Sequence, residues 1–111
     1  MRRILLTFLF ALSLMAVLPQ RMSAAANIEI IDKGIYELES VDYPHYGRAV
    51  GNSVVNKEAD YGIVVCGTGI GISIAANKVK GVYAALVSDV YSAQRARLSN
   101  DANIICMGAF T

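Results

Sequence analysis

Gly62-Ile63-Val64-Val65-Cys66-Gly67-Thr68-Gly69-Ile70-Gly71-Ile72-Ser73 reads as a buried strand, a glycine turn and the first turn of a helix. Ile63, Val64 and Val65 form a continuous β-branched run, as expected of a strand covered on both faces. Cys66 follows at the carboxyl end of that strand. Gly67, Gly69 and Gly71 alternate with Thr68 and Ile70. Glycines there permit positive φ and bring bare N–H groups close to a ligand. Helical sequence from Ile72 to Val79 then places a thiol and several amides at a helix N-terminus, where the dipole favours negative charge. Two glycine motifs are excluded: position 72 is Ile72, which breaks G-x-G-x-x-G, and no Gly-Lys-Ser/Thr ends the loop as a P-loop requires. Spacing alone leaves two readings open, a site for a thiolate or oxyanion and an ordinary strand–helix turn with a buried, inert cysteine.

Outward from that stretch, the 111 residues fit one domain. Cys66 and Cys106 do not make a disulfide framework, and each lies in or at the end of an apolar run. The net charge of +1 and the lack of a basic cluster interleaved with aromatics argue against nucleic-acid binding. Nothing in the residues points to a metal or a cofactor.

The first 26 residues differ from the rest. Arg2 and Arg3 precede an apolar run from Ile4 to Leu18, and Ala24-Ala25-Ala26 follows a polar break. These are the three parts of a secretory signal, and the run is short for a membrane span of about 20 residues. The sequence thus divides into a signal-peptide-like leader, 1–26, and a domain, 27–111.

Within the domain, Ile28 to Ile31 reads as a strand ended by Asp32-Lys33-Gly34. Asp42 can cap a helix with Pro44 in its first turn. After the central strand and the glycine-loop helix come a strand at Val82–Val87 and a helix capped by Ser88 or Asp89, with Tyr91, Ala93, Ala96 and Leu98 mostly inward. A strand over 103–107 ends at Gly108. The order βαβαβαβ predicts an α/β fold: a three-layer, Rossmann-like parallel sheet of about four strands, with helices on both faces and incomplete for its class. Ligands bind such sheets beyond the carboxyl ends of the strands, where Cys66, Ser88 and Gly108 fall.

Val65-Cys66-Gly67-Thr68-Gly69-Ile70-Gly71-Ile72-Ser73-Ile74-Ala75-Ala76-Asn77-Lys78 closely resembles the family of ribose-5-phosphate isomerase B and the galactose-6-phosphate isomerase subunits. Ile31-Asp32-Lys33-Gly34, Asp42-Tyr43-Pro44-His45-Tyr46, Tyr91-Ser92-Ala93-Gln94 and Asn100-Asp101-Ala102-Asn103 agree with it. The resemblance runs from about Ile28 to about Gly108. It implies an aldose–ketose isomerase that interconverts ribose 5-phosphate and ribulose 5-phosphate through an enediol, without cofactor or metal, as a cytoplasmic homodimer. The leader carries the alternative of export. The resemblance implies Cys66 as the base, with Thr68 beside it, and Gly67, Thr68, Gly69, Ile70 and Gly71 around the substrate and its intermediate. Asn100 and Tyr43 are the further substrate-binding residues it implies. Turn formation by Thr68 and Asn100, and packing by Tyr43, are the plainer readings.

Several positions depart from that pattern. Ser99 stands where the family has a ring-opening histidine, and no Asp or His precedes Asp32 where an Asp-His pair is expected. An arginine expected after the glycine that ends the last strand is absent, and Phe110 stands about there. A C-terminal helix carrying phosphate-binding arginines would follow Thr111. These departures imply weak turnover, and the alternative function is a truncated, inactive remnant or an anion-binding module of the same fold. His45, the one histidine, reads as a surface residue, and Arg95 and Arg97 as a solvated face.

Overall fold

The computed structural model describes residues 2–7, 28–36 and 41–111. Five parallel strands form one sheet: β1 (Arg2–Thr7), β2 (Ile28–Asp32), β3 (Tyr61–Cys66), β4 (Ala84–Leu86) and β5 (Ile104–Gly108), in the order β2-β1-β3-β5-β4. Among the described residues three helices follow β2, β3 and β4 in turn: α1 (Tyr43–Val55), α2 (Ile70–Asn77) and α3 (Val90–Asn100). The fold class is as the sequence indicates, and β3 is the central strand. The strand count differs from the expected four. Arg2–Thr7, read from the sequence as the start of a leader, pairs with β2 along Arg2–Leu6 and with β3 along Ile4–Thr7. Asp60 locks this strand in place. Its carboxylate accepts the Arg3 N–H at 2.6 Å, and its own N–H donates to the Arg3 carbonyl at 2.7 Å. The rest of the leader, like the leader's boundary at residue 26, lies outside the described residues. Among the described residues no helix is long and apolar enough to cross a membrane.

Strand order and handedness together fix the layers. The connections β2–α1–β3 and β3–α2–β4 run the same way across the sheet, so right-handed crossovers put α1 and α2 on one face, where they pack on each other. The return from β4 to β5 reverses direction and puts α3 on the other face. The main core lies under α1 and α2: Val50, Val54, Val64, Ile72, Ala76, Ile104 and Cys106 are buried together. The second core is small, built from Val87, Ala96 and Ala102 with Ala85, Ala93, Ile105 and Met107 against them. Tyr91 and Leu98, expected to face inward, are exposed. The side of α3 that meets the sheet is the alanine side, Ala93 and Ala96.

Helix ends follow local chemistry. Asp89 caps α3 through a reciprocal pair with Ser92, whose backbone N–H donates to the carboxylate at 2.7 Å. That bond holds the exposed Asp89 carboxyl below its usual range. Asp42 occupies the cap position of α1 but its side chain makes no capping bond. It lies 3.7 Å from His45 on the surface instead.

The exposed edge of β4 is guarded by a side chain. Asn77, at the end of α2, donates to the Ala84 carbonyl at 2.8 Å and accepts the Ala84 N–H at 2.9 Å. The amide thus mimics one residue of a neighbouring strand and closes part of an otherwise open edge. Asn77→Ala removes both bonds, each worth about 0.5–1.5 kcal/mol net. It should lower the melting temperature by about 5 °C and make aggregation rise with protein concentration. Unchanged melting and light scattering would show that water replaces Asn77 without penalty.

Candidate active site

The chain turns from β1 to β2 on one side of the sheet and from β3 toward β4 on the other. The carboxyl ends of β1 and β3 therefore flank a switch point, where ligands of open parallel sheets bind. Cys66 ends β3 at this place, paired in register with Gly108 at the end of β5. The thiol is 7% exposed, and its sulfur accepts the Gly69 backbone N–H at 3.1 Å. Gly69 is the N-cap of α2 in the left-handed region, φ 78°, and no side chain caps that helix. Its first-turn amides lack intrahelical acceptors by construction. A sulfur with an amide N–H aimed at it, at the positive end of a helix, is placed to carry negative charge.

Each glycine of the loop seats one large side chain from another element. The Tyr43 hydroxyl, from the first turn of α1, lies where a Cβ on Gly71 would stand. A Cβ on Gly69 would come within 2.6 Å of Leu86 Cδ1. The Phe110 ring lies beside Gly67, 3.5 Å from the position of a Cβ there. Leu86 and Phe110 are neighbours of the loop that sequence reasoning missed. Leu86 comes from β4 and Phe110 from the turn after β5, and no local pattern signals either contact. The turn after β5 is bonded to the loop, with Ala109 N–H donating to the Cys66 carbonyl at 2.8 Å and Phe110 N–H to the Gly67 carbonyl at 3.1 Å.

The structure thus gathers Cys66, Gly67, Thr68, Gly69, Ile70, Gly71 and Tyr43 at one mouth. Thr68 is exposed, and its hydroxyl accepts the Ile70 N–H at 3.2 Å. The group bonded to the thiol is the Gly69 amide, so the turn role read for Thr68 is present and contact with sulfur is supplied elsewhere. Asn100 is not gathered. It ends α3, which descends from the carboxyl end of β4 to the amino end of β5, and so lies at the opposite sheet edge from Cys66. Ser99 beside it is hydrogen-bonded by Arg95. Arg97 pairs with Asp101 at 2.7 Å and lies over the Tyr61 ring, so this arginine is more engaged than a solvated face suggests. A cavity of about 460 Å³ on that amino edge, lined in part by Lys57, Asp60, Tyr61, Tyr83 and Arg97, has neither a thiol nor a helix N-terminus in its wall. Among the described residues no cluster of His, Cys, Asp or Glu could hold a metal ion.

The two thiols differ sharply. Cys106 is fully buried on the strand next to Cys66, and burial, with the neighbouring Cys66 thiol adding to it, pushes its pKa up to about 12. At pH 8 only about one Cys106 in 10⁴ is then thiolate. Iodoacetamide should therefore modify Cys66 in the folded protein and spare Cys106 until denaturant is added, as peptide mass mapping would read. Equal labelling of both in the folded state would deny Cys66 its special setting.

A profile of the family described as Ribose/Galactose Isomerase matches residues 10–111. Ribose-5-phosphate isomerase B of Escherichia coli strain K12 is 49% identical over 83 residues, covering 75% of this chain and 56% of that protein. Galactose-6-phosphate isomerase subunit LacB of Clostridium acetobutylicum is 48% identical over 79 residues, covering 71% and 46%. The chain thus spans about half the length of the curated relatives it matches. The solved structure of Clostridium thermocellum ribose-5-phosphate isomerase B superposes with a TM-score of 0.88 at 41% identity, covering 99% of this chain and 74% of that one. The Trypanosoma brucei type B enzyme gives 0.87 at 42%, covering 99% and 75%. With a family profile matched along nearly its whole length and the same parallel sheet beneath it, the chain belongs to the ribose/galactose isomerase family.

Proposed function

We propose that the chain is an aldose–ketose isomerase of sugar phosphates, interconverting ribose 5-phosphate and ribulose 5-phosphate with Cys66 as the base. The observation that carries this reading is the Gly69 N–H held 3.1 Å from the Cys66 sulfur at the start of α2. In the forward direction the thiolate takes the proton from C2 of the open-chain aldose. The C–H electron pair becomes the C1–C2 double bond, and the carbonyl pair moves onto O1, giving an enediol(ate). A proton returns to C1, and the proton on O2 passes to O1 as the C2 carbonyl forms, which completes the ketose. In this reading the amides of Gly67, Thr68 and Gly71 meet the charge that develops on oxygen, the Gly69 and Ile70 amides being taken by the Cys66 sulfur and the Thr68 hydroxyl, and such donors supply the electrostatic part of catalysis. Tyr43 closes one side over Gly71. Asn100, at the far edge of its own sheet, reaches substrate only across a subunit contact, which fits a homodimer with each chain lending Asn100 to its partner's site.

A second reading, an inactive anion-binding module of the same fold, draws on Ser99. A hydroxyl there cannot act as the ring-opening acid near pH 7. One experiment separates the two: purified chain is mixed with ribose 5-phosphate and ribulose 5-phosphate is followed. Turnover above background supports the isomerase, and saturable binding of inorganic phosphate without turnover supports the module.

A further inference from the structure

Asn100 ends α3, and the chain turns sharply just after it. Asp101 sits in the left-handed region, φ 54°, which is uncommon for a residue other than glycine. The residues on either side of Asn100 are both held by arginines one helical turn earlier. Arg95 donates to the Ser99 hydroxyl, and Arg97 pairs with the Asp101 carboxylate at 2.7 Å. Arg97 makes two further contacts. Its Nη1 also donates to the Ala102 carbonyl at 3.2 Å, and its guanidinium lies over the Tyr61 ring, 5.1 Å from the centroid. One planar group thus joins the left-handed residue, the residue beyond it and the first residue of β3. A rigid fork with a stacking face suits all three contacts at once, and a flexible ammonium does not. Asn100 itself is exposed, and among the described residues its side chain makes no hydrogen bond. An open amide therefore stands in a turn whose neighbours on both sides are pinned.

We propose that Arg97 is a positioning residue: it fixes the turn after α3, and with it the direction in which Asn100 projects toward the site of a second copy of the chain. This rests on the isomerase reading with Asn100 shared between subunits, and adds to it the group that holds Asn100 ready. Arg97 acts through Asn100 rather than on substrate, because its guanidinium is engaged by Asp101, Ala102 and Tyr61. A turn fixed in advance spares the ordering that binding would otherwise impose on it.

The test measures the dissociation constant for ribose 5-phosphate by calorimetry, with KM and kcat, on the full chain and its variants. Asn100→Ala should weaken binding about tenfold, the worth of one hydrogen bond to a charged ligand. Arg97→Leu should weaken it about fivefold, read in turnover as a raised KM with little change in kcat. The double variant should bind within about twofold of Asn100→Ala, because a residue that acts only through Asn100 then has nothing left to position. Asp101→Gly separates positioning from folding. Glycine takes the left-handed turn freely, so the melting temperature should hold, while the carboxylate that engages Arg97 is gone. Binding should still fall about threefold. Additive losses from Arg97→Leu and Asn100→Ala, or unchanged binding in Arg97→Leu, overturn the proposal. Loss in Arg97→Leu with wild-type binding in Asp101→Gly also overturns it, since Arg97 would then serve the fold alone. Failure of the isomerase reading is distinct. A chain that binds ribose 5-phosphate without isomerising it, and still shows the coupling, removes the reaction and keeps the positioning role. A chain that isomerises with an unchanged KM in Arg97→Leu removes the positioning role alone. A chain that neither binds nor isomerises removes both.

Discussion

Cys66→Ala should reduce the interconversion of ribose 5-phosphate and ribulose 5-phosphate by about 10²–10⁴-fold, the usual worth of a positioned general base. The loss should fall on kcat, because the sulfur acts on the proton at C2 and the substrate's oxygens are bound by other groups. Cys66→Ser should lose nearly as much, since a hydroxyl of the same shape has too high a pKa to serve as a base near neutral pH. Isotope exchange gives a second readout. In D₂O the wild-type chain should place deuterium from solvent at C1 of the ketose, whereas Cys66→Ala should not. The side chain is small and only its sulfur is lost from the core, so folding should survive, and circular dichroism with phosphate-induced amide shifts would confirm it. The Gly69 N–H is buried and loses its partner in the alanine variant, so a stability loss of about 1–3 kcal/mol accompanies the loss of the base. Turnover by Cys66→Ala within threefold of wild type would reassign the base. Absence of turnover in both, with phosphate still bound, would favour the inactive module.

The part of the fold around β3 and α2 is legible because two independent signals coincide there. A β-branched run marks a strand buried on both faces, and the glycines that follow can only be a turn. Strand β1 is not legible for a physical reason. A central parallel strand and the apolar core of a leader are both continuous apolar runs, and Arg2 and Arg3 suit either. What distinguishes the strand is its pairing with β2 and β3 and the bonds between Arg3 and Asp60, partners 57 residues apart. Helix α3 misleads in the opposite way. Hydropathy favours Tyr91 and Leu98 as its inner residues, but the close approach of helix to sheet is made on Ala93 and Ala96. In the site, the position of Cys66 is readable from its place at a strand end. The group that holds its sulfur is a backbone amide, which no residue letter advertises, so Thr68 draws attention that belongs to Gly69. Asn100 reads as a site residue by resemblance, and only the topology shows that α3 carries it to the far edge.

Gly69→Ala should be the most damaging single methyl that can be added to this loop, costing about 2–5 kcal/mol of stability. Two separate penalties contribute. The backbone at Gly69 has φ 78°, and an L side chain in the left-handed region costs about 1–2 kcal/mol. The added Cβ would also stand 2.6 Å from Leu86 Cδ1, 2.7 Å from the Met107 carbonyl carbon and 3.0 Å from the Gly108 nitrogen. Leu86 can turn aside, but the other two atoms are backbone of β5 and cannot move without disturbing its pairing with β3. Overpacking of that kind costs about 1–3 kcal/mol. The melting temperature should fall by more than about 10 °C. The neighbouring Gly67→Ala is the control. Its φ is not in the left-handed region, and its Cβ would meet only the Phe110 ring at 3.5 Å and 3.7 Å, ordinary contact distances. That variant should stay within about 0.5 kcal/mol of wild type. The same methyl at Gly69 displaces the N–H that reaches the Cys66 sulfur, so iodoacetamide labelling of Cys66 should change in Gly69→Ala and hold steady in Gly67→Ala. Equal destabilisation by the two alanines would mean that the loop asks only for small residues. Loss at Gly69 alone would show that one left-handed turn against β5 both sets the loop and aims its amide at the thiol.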